Sequence, residues 1–310
     1  MLDREIVPVP AIRATFSALY DRLYSERSQA RLEHWTMNLS ILGFLVHVTL
    51  VFLARALAHP PALIAAVGTN YLSAIYTPFS FILFYEVLML IAALPQSTTQ
   101  SIAKQYEIVS LIFIRRFFKD IAELDDIGKL TQLTRDVLPV FTDVAAGLFM
   151  FLLVTVFLHA ARAGRLPDVG RRETAALKDF IARKKAIAVV LTLLLLTLAA
   201  HSIWEFAREA LAGAHIDPST FFYSEVFTVM IFTDVLIVIL SLAVSDRYEL
   251  VFRNGAFVIS TIMIRFSLTV QRPFADELAV TGMIFGILTL LIYNYHARIR
   301  RPERIVVKPT

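Results

Sequence analysis

Cysteine is absent from the 310 residues, which excludes disulfides, thiolate metal sites, iron–sulfur clusters and cysteine nucleophiles together. Charge is also scarce. Asp, Glu, Lys and Arg make up 18% of the chain against 57% hydrophobic residues. The mean hydropathy of +0.65 exceeds what a soluble domain carries, where about half the residues are apolar. The chain therefore reads as an integral membrane protein. It lacks a phosphate-cradling glycine loop, HExxH, GxSxG and a kinase-like set, so no enzyme and no cofactor are expected. The formal charge of +4 comes from bases beside apolar runs, where the positive-inside bias accounts for them. Nucleic acid is not an expected partner.

The first 36 residues show no cleavable signal, because Arg4, Arg13, Arg22, Arg27 and Arg31 stand among acids with no short apolar core. Instead Ile12, Phe16, Leu19, Tyr20, Leu23 and Tyr24 recur at helical spacing. The stripe suits an amphipathic helix, lying either on the membrane face or against its own bundle.

Spanning segments of about 20 residues are expected over Met37–Leu57, Tyr71–Leu94, Val137–Ala160, Ala186–Ala207, Phe221–Val244 and Leu278–His296. Ser101–Asp120 and Val251–Val270 are apolar but interrupted by charge. Counting these two gives eight crossings, and omitting them gives six. Eight is preferred, because it places most of the 30 Lys and Arg residues on the cytoplasmic side, including the run Arg162, Arg165, Arg171, Arg172, Lys178, Arg183, Lys184 and Lys185. The expected fold is thus an all-α membrane protein with both termini cytoplasmic. Its parts are an amphipathic segment (1–36), a four-helix unit (37–162), a basic linker (163–185), a second four-helix unit (186–298) and a cytoplasmic tail (299–310).

The two units read alike. The first contains Glu86-Val-Leu-Met-Leu-Ile, then Lys104, then Ser110-Leu-Ile-Phe-Ile-Arg115; the second contains Asp234-Val-Leu-Ile-Val-Ile, then Arg253, then Ser260-Thr-Ile-Met-Ile-Arg265. The first helix of each ends in Ala54-Arg55-Ala56-Leu57 or Ala207-Arg208-Glu209-Ala210-Leu211, and the last in His159-Ala-Ala-Arg162 or His296-Ala-Arg298. An even number of crossings per unit makes this a parallel repeat about an axis along the membrane normal.

The stretch from Asp234 through Arg253, Phe257–Arg265, Pro273, Asp276 and Leu278 to Arg298 resembles the PsiE family of small four-helix bacterial inner-membrane proteins. The resemblance covers about residues 217–301 and reaches the first half through the repeat. It implies a fold and a bacterial inner membrane, but no reaction. Two departures stand out: the chain has two units where that family usually has one, and it carries Asp234 where a glutamate is expected.

Charges inside a bilayer are costly and need partners. Residues equally distant from the short turn joining the second and third helices share a depth, and Arg115 and Arg265 each fall about one helical turn beyond their acid. Ion pairs Glu86–Arg115 and Asp234–Arg265 are therefore expected. They either line a polar route for protons or small ions or lock helix register without moving. In the second case the protein is a membrane scaffold or sensor subunit with a protein partner, or a homo-oligomer. Lys104, Glu107 and Arg253 are expected to snorkel to the interface, and Asp143 and Glu225, at the outer helix ends, either to sit near water in the interface or to extend a polar path from outside. His47 and His201 occupy nearly corresponding positions in the two first helices. They suit polar helix contacts, or, as a third reading, haem iron ligation across the units.

Overall fold

The computed structural model describes residues 9–65, 67–123, 137–164, 175–211, 223–242, 248–270 and 274–299. The expected outer loop beyond Glu123, most of the basic linker before Ala175, the turn holding Arg247, the segment with His215 and the tail beyond Ile299 lie outside the described residues, as does the Ile12 side chain.

Helices run in the order α1 (Val9–Leu23), α2 (Glu26–Ala56), α3 (Ala62–Ala65), α4 (Ser73–Ala93), α5 (Thr98–Glu123), α6 (Val137–Ala163), α7 (Ala175–Leu211), α8 (Tyr223–Leu242), α9 (Tyr248–Thr269) and α10 (Phe274–Ile299). No strand occurs among the described residues. Each of the eight expected segments falls within one of these helices or overlaps it closely. Two boundaries differ. Ser25 caps α2 by accepting from the Ser28 amide at 3.3 Å, and Glu26 adds a negative charge to the first turn, so this helix starts 11 residues before Met37. A side-chain N-cap of this kind satisfies an otherwise unpaired amide. Likewise α7 begins at Ala175, so the end of the basic linker is the first three turns of a helix rather than a loop.

Among the described residues, six helical stretches are long and apolar enough to cross a membrane, at Glu26–Ala56, Ser73–Ala93, Phe141–Ala163, Leu177–Glu205, Tyr248–Thr269 and Phe274–Ile299. In α5, Lys104, Glu107, Arg115, Arg116, Lys119, Asp120 and Glu123 dilute the apolar character. The helix α8 spans 20 residues, with Glu225 and Asp234 as its charges. Large apolar side chains stand exposed on the exterior, among them Ile41, Leu45 and Phe52 of α2, Leu148 and Leu152 of α6, and Leu288 and Ile292 of α10. An exterior this apolar belongs to an integral membrane protein.

Neighbours in sequence pack on one another in both halves: α2 on α4, α4 on α5, α5 on α6, then α7 on α8, α8 on α9, α9 on α10. The halves meet chiefly where α6 lies along α10, with smaller contacts of α5 with α9 and α4 with α7. Asn294 near the end of α10 donates to the Ala160 carbonyl near the end of α6 at 2.8 Å, which makes these two helices parallel. Two apolar cores result. One joins α4 to α7 and α8 through Val87, Ile91, Leu195 and Met230. The other lies at the junction of the halves, where Tyr106, Phe113, Phe157, Phe257 and Met283 are shut off from solvent.

The stripe on α1 is seated on the protein. Tyr20 donates to the Ala92 carbonyl at 2.5 Å, the Tyr24 and Thr192 hydroxyls lie 2.6 Å apart, and Lys185 reaches Asp21 at 2.7 Å. Burial pushes the Tyr20 phenol well up from its ordinary value, so it stays protonated, and a donor, at neutral pH. Leu19 and Leu23 remain exposed on the other flank. The helix therefore packs against α7 and the end of α4, while a second edge stays free of the bundle.

Candidate functional site

The second and third long helices of each half are antiparallel, and each brings an acid on one to an arginine on the other. In the first half Glu86 Oε1 meets Arg115 Nη2, with both side chains largely buried. The second half places Arg265 Nη1 2.9 Å from Asp234 Oδ2, at side-chain exposures of 3% and 7%. The four charges singled out in the sequence are thus brought together as two pairs, one per half.

Adjacent packing matches as well. Gly147 of α6 leaves room for Ile114, the residue before Arg115, and Gly282 of α10 leaves room for Ile264, the residue before Arg265. A Cβ on either glycine would fall 2.6 Å from Ile114 Cγ1 or 3.0 Å from Ile264 Cγ1. A missing side chain on the last helix therefore sets how closely the arginine-bearing helix approaches, in both halves.

The surroundings of the two pairs differ. Arg265 Nη2 also donates to Gln105 Oε1 of α5 at 3.2 Å, so the second pair is tied across the junction of the halves. Beside it lies a cavity lined by Gln105, Lys184, Asp234, Ser241, Asn254 and Thr261, among others. Its volume is about 40 Å³, room for a small cluster of waters at roughly 10–15 Å³ per molecule. Lys184 enters this space from the first turns of α7. It is 4% exposed, donates to the Gln96 carbonyl at 2.8 Å, lies 5.6 Å from the Phe180 ring and acts electrostatically on Asp234.

The remaining expected residues take varied places. Lys104 pairs with Glu107 at 3.0 Å, with both side chains well exposed, and Glu225 is exposed. Arg253 is half-buried rather than snorkelling freely: it donates to Asn254 Oδ1 at 3.1 Å and stacks 4.6 Å over the Tyr293 ring. Asp143 departs from the expected place near water, being fully buried in α6. It lies near the start of that helix, shut off from solvent. Near that end Arg116 donates to the Ser267 carbonyl at 2.9 Å and approaches Asp276 at 3.9 Å.

The two histidines have separate partners. His47 Nδ1 lies 2.5 Å from Thr77 Oγ1 of α4, whereas His201 is 66% exposed and 3.4 Å from Glu205 on its own helix. Each is engaged locally, as polar helix contacts are. No group of three or more His, Cys, Asp or Glu suited to a metal occurs among the described residues.

Gln105, Lys184, Arg116 and the hydrogen bond between the Tyr106 and Ser260 hydroxyls at 2.6 Å were not singled out by sequence. Lys184 lay within a basic run whose bias signals topology, and nothing in the spacing marked it as turned inward. Comparison of the chain with protein-family models, with curated proteins and with solved structures finds no match.

Proposed function

We propose that this integral membrane protein passes protons or small ions by way of the Asp234 cavity, in a bilayer it crosses eight times with its basic end in the cytoplasm. The observation that carries the reading is the pairing of a buried acid with a small cavity: Asp234, Lys184 and, from the other half, Gln105 line it, and Arg265 holds both Asp234 and Gln105. Intramembrane charges beside polar space mark routes for ions. The Glu86–Arg115 pair, its counterpart in a tandem repeat of PsiE-like units, then serves mainly to hold helix register. Positive-inside bias supports this orientation, since Lys178, Arg183, Lys184 and Lys185 lie in the first turns of α7 while Arg162 and Arg298 lie in the last turns of α6 and α10.

Reconstituted protein should dissipate an imposed ion or pH gradient in liposomes, and Asp234→Asn should lower the rate at least about tenfold at equal incorporation. Wild-type protein that moves no ion under any gradient contradicts the reading.

A second reading is favoured by how closed both pairs are. Side chains buried to this degree and joined directly suit a lock, and the protein would then be a scaffold or sensor subunit that docks a partner through its basic end and α1. Co-purification after mild solubilisation distinguishes it: a stable partner supports the scaffold, and a protein that always emerges alone contradicts it. The haem reading is tested by a Soret band in purified protein.

A further inference from the structure

The charge balance around the Asp234 cavity narrows what enters it. Two cations, Lys184 and Arg265, are buried at 4% and 3% exposure, against one buried acid, Asp234, at 5%. Acids at the nearby surface are neutralised locally, Asp179 by Arg183 at 2.7 Å and Glu107 by Lys104 at 3.0 Å. The rest of the lining is mostly apolar, with Leu94, Ile102, Ile237 and Phe257 among its side chains, and its neutral polar groups include Gln105, Asn254, Ser241 and Thr261. A bare cation entering here would meet a net positive charge and a single carboxylate already held by Arg265. A hard cation needs several charged or carbonyl oxygens. An anion meets the opposite situation: an ammonium with three donors, one of which goes to the Gln96 carbonyl, with the Asn254 amide also on the wall, while the Ser241 and Thr261 hydroxyls donate to the Val238 and Val258 carbonyls. The first turn of α5, with Thr98 and Ser101 on the wall, adds the positive end of a helix dipole.

We propose that the cavity binds a small monovalent inorganic anion of the chloride type, held by Lys184 with Arg265 behind it, and that Asp234 sets the strength of binding by partly offsetting those cations. This rests on the reading of the Asp234 cavity as the ion site, and it also explains why an acid stands there. Two uncompensated buried cations would hold an anion too firmly to release it, whereas conduction needs binding weak enough to leave.

The test uses the full chain in detergent, with bromide as the probe. Crystals grown in bromide should show its anomalous peak in the cavity beside Lys184. Chloride titration at constant ionic strength, with gluconate as the replacement, should give an affinity that falls about tenfold or more in Lys184→Gln and rises by a similar factor in Asp234→Asn, each change altering one unit charge near the ion. Lys184→Arg should retain binding. Bromide absent from the cavity would overturn the proposal, as would the reverse pattern, with Asp234→Asn weakening and Lys184→Gln strengthening the binding of sodium or potassium. Should Asp234→Asn fail to fold, the bromide position and the Lys184 variants still decide. Bromide in the cavity with no flux leaves the anion site standing and removes the transport reading. Proton or cation flux with bromide absent from the cavity does the opposite.

Discussion

Gly286 shows how closely single residues set the junction between the halves. The Tyr106 hydroxyl occupies the space where a Cβ on Gly286 would stand, and Ser260 Oγ lies 2.9 Å from that point. Tyr106 and Ser260 are both fully buried, and the Ser260 hydroxyl donates to the Gly282 carbonyl at 2.7 Å. Gly286→Ala should therefore displace the Tyr106 ring and cost about 1–3 kcal/mol, as overpacking of a tight core does. Gly255 is the control. It lies inside α9 with open space where a Cβ would stand, so Gly255→Ala should stabilise the protein by about 0.5–1 kcal/mol through helix propensity. Thermal unfolding in detergent measures both; equal shifts for the two variants would contradict the packing described for the junction. At this scale the sequence was only partly legible. Glu86, Arg115, Asp234 and Arg265 were found because the same spacing occurs twice. Tyr106, Gln105 and Lys184 were not, because each acts on a residue at least 88 positions away and none has an equivalent in the other half. Asp143 was assigned to water because its depth was judged from its place near the start of α6, while its burial depends on the helices packed around that turn.

Among elements, the parallel pair of α6 and α10 joins the halves most extensively, and its polar tie lies at the basic end. Asn294 donates to Ala160, and a Cβ on Gly164 would run into the Asn294 side chain. Because the chain has no cysteine, an introduced pair reports cleanly. Gly164→Cys combined with Asn294→Cys should cross-link within one molecule under mild oxidation, visible as a mobility shift on a non-reducing gel. A pair that links only between molecules would contradict the parallel packing of the two helices. Helix positions were legible from the sequence, since runs of apolar residues of spanning length are a strong signal. Helix ends were less so. The start of α2 at Ser25 depends on a cap, and the start of α7 lies in a charged stretch whose composition alone suggests a loop. The seat of α1 was left between membrane surface and bundle because one amphipathic stripe serves either. Tyr20 and Tyr24, anchored on Ala92 and Thr192, select the bundle.

For the whole molecule, the two halves share a succession of helix contacts and a buried acid–arginine pair, yet only the second pair opens onto the cavity lined by Lys184 and Gln105. Orientation is the first consequence to check. A reporter fused after Thr310 should be active on the cytoplasmic side, and one inserted in the α2–α4 connection near His59 should report the outer side. Matching signals from the two positions would contradict the proposed topology. The divergence between halves leads to the most direct test, a comparison of Glu86→Gln with Asp234→Asn in the same liposome assay, with flux expressed per folded molecule. Glu86→Gln breaks a closed pair and should lose about 3 kcal/mol of stability while its flux per folded molecule stays near wild type. Asp234→Asn should lose at least about tenfold in flux. Equal effects of the two variants on flux, or wild-type flux retained by Asp234→Asn, would contradict the account of one pair as lock and the other as ion site.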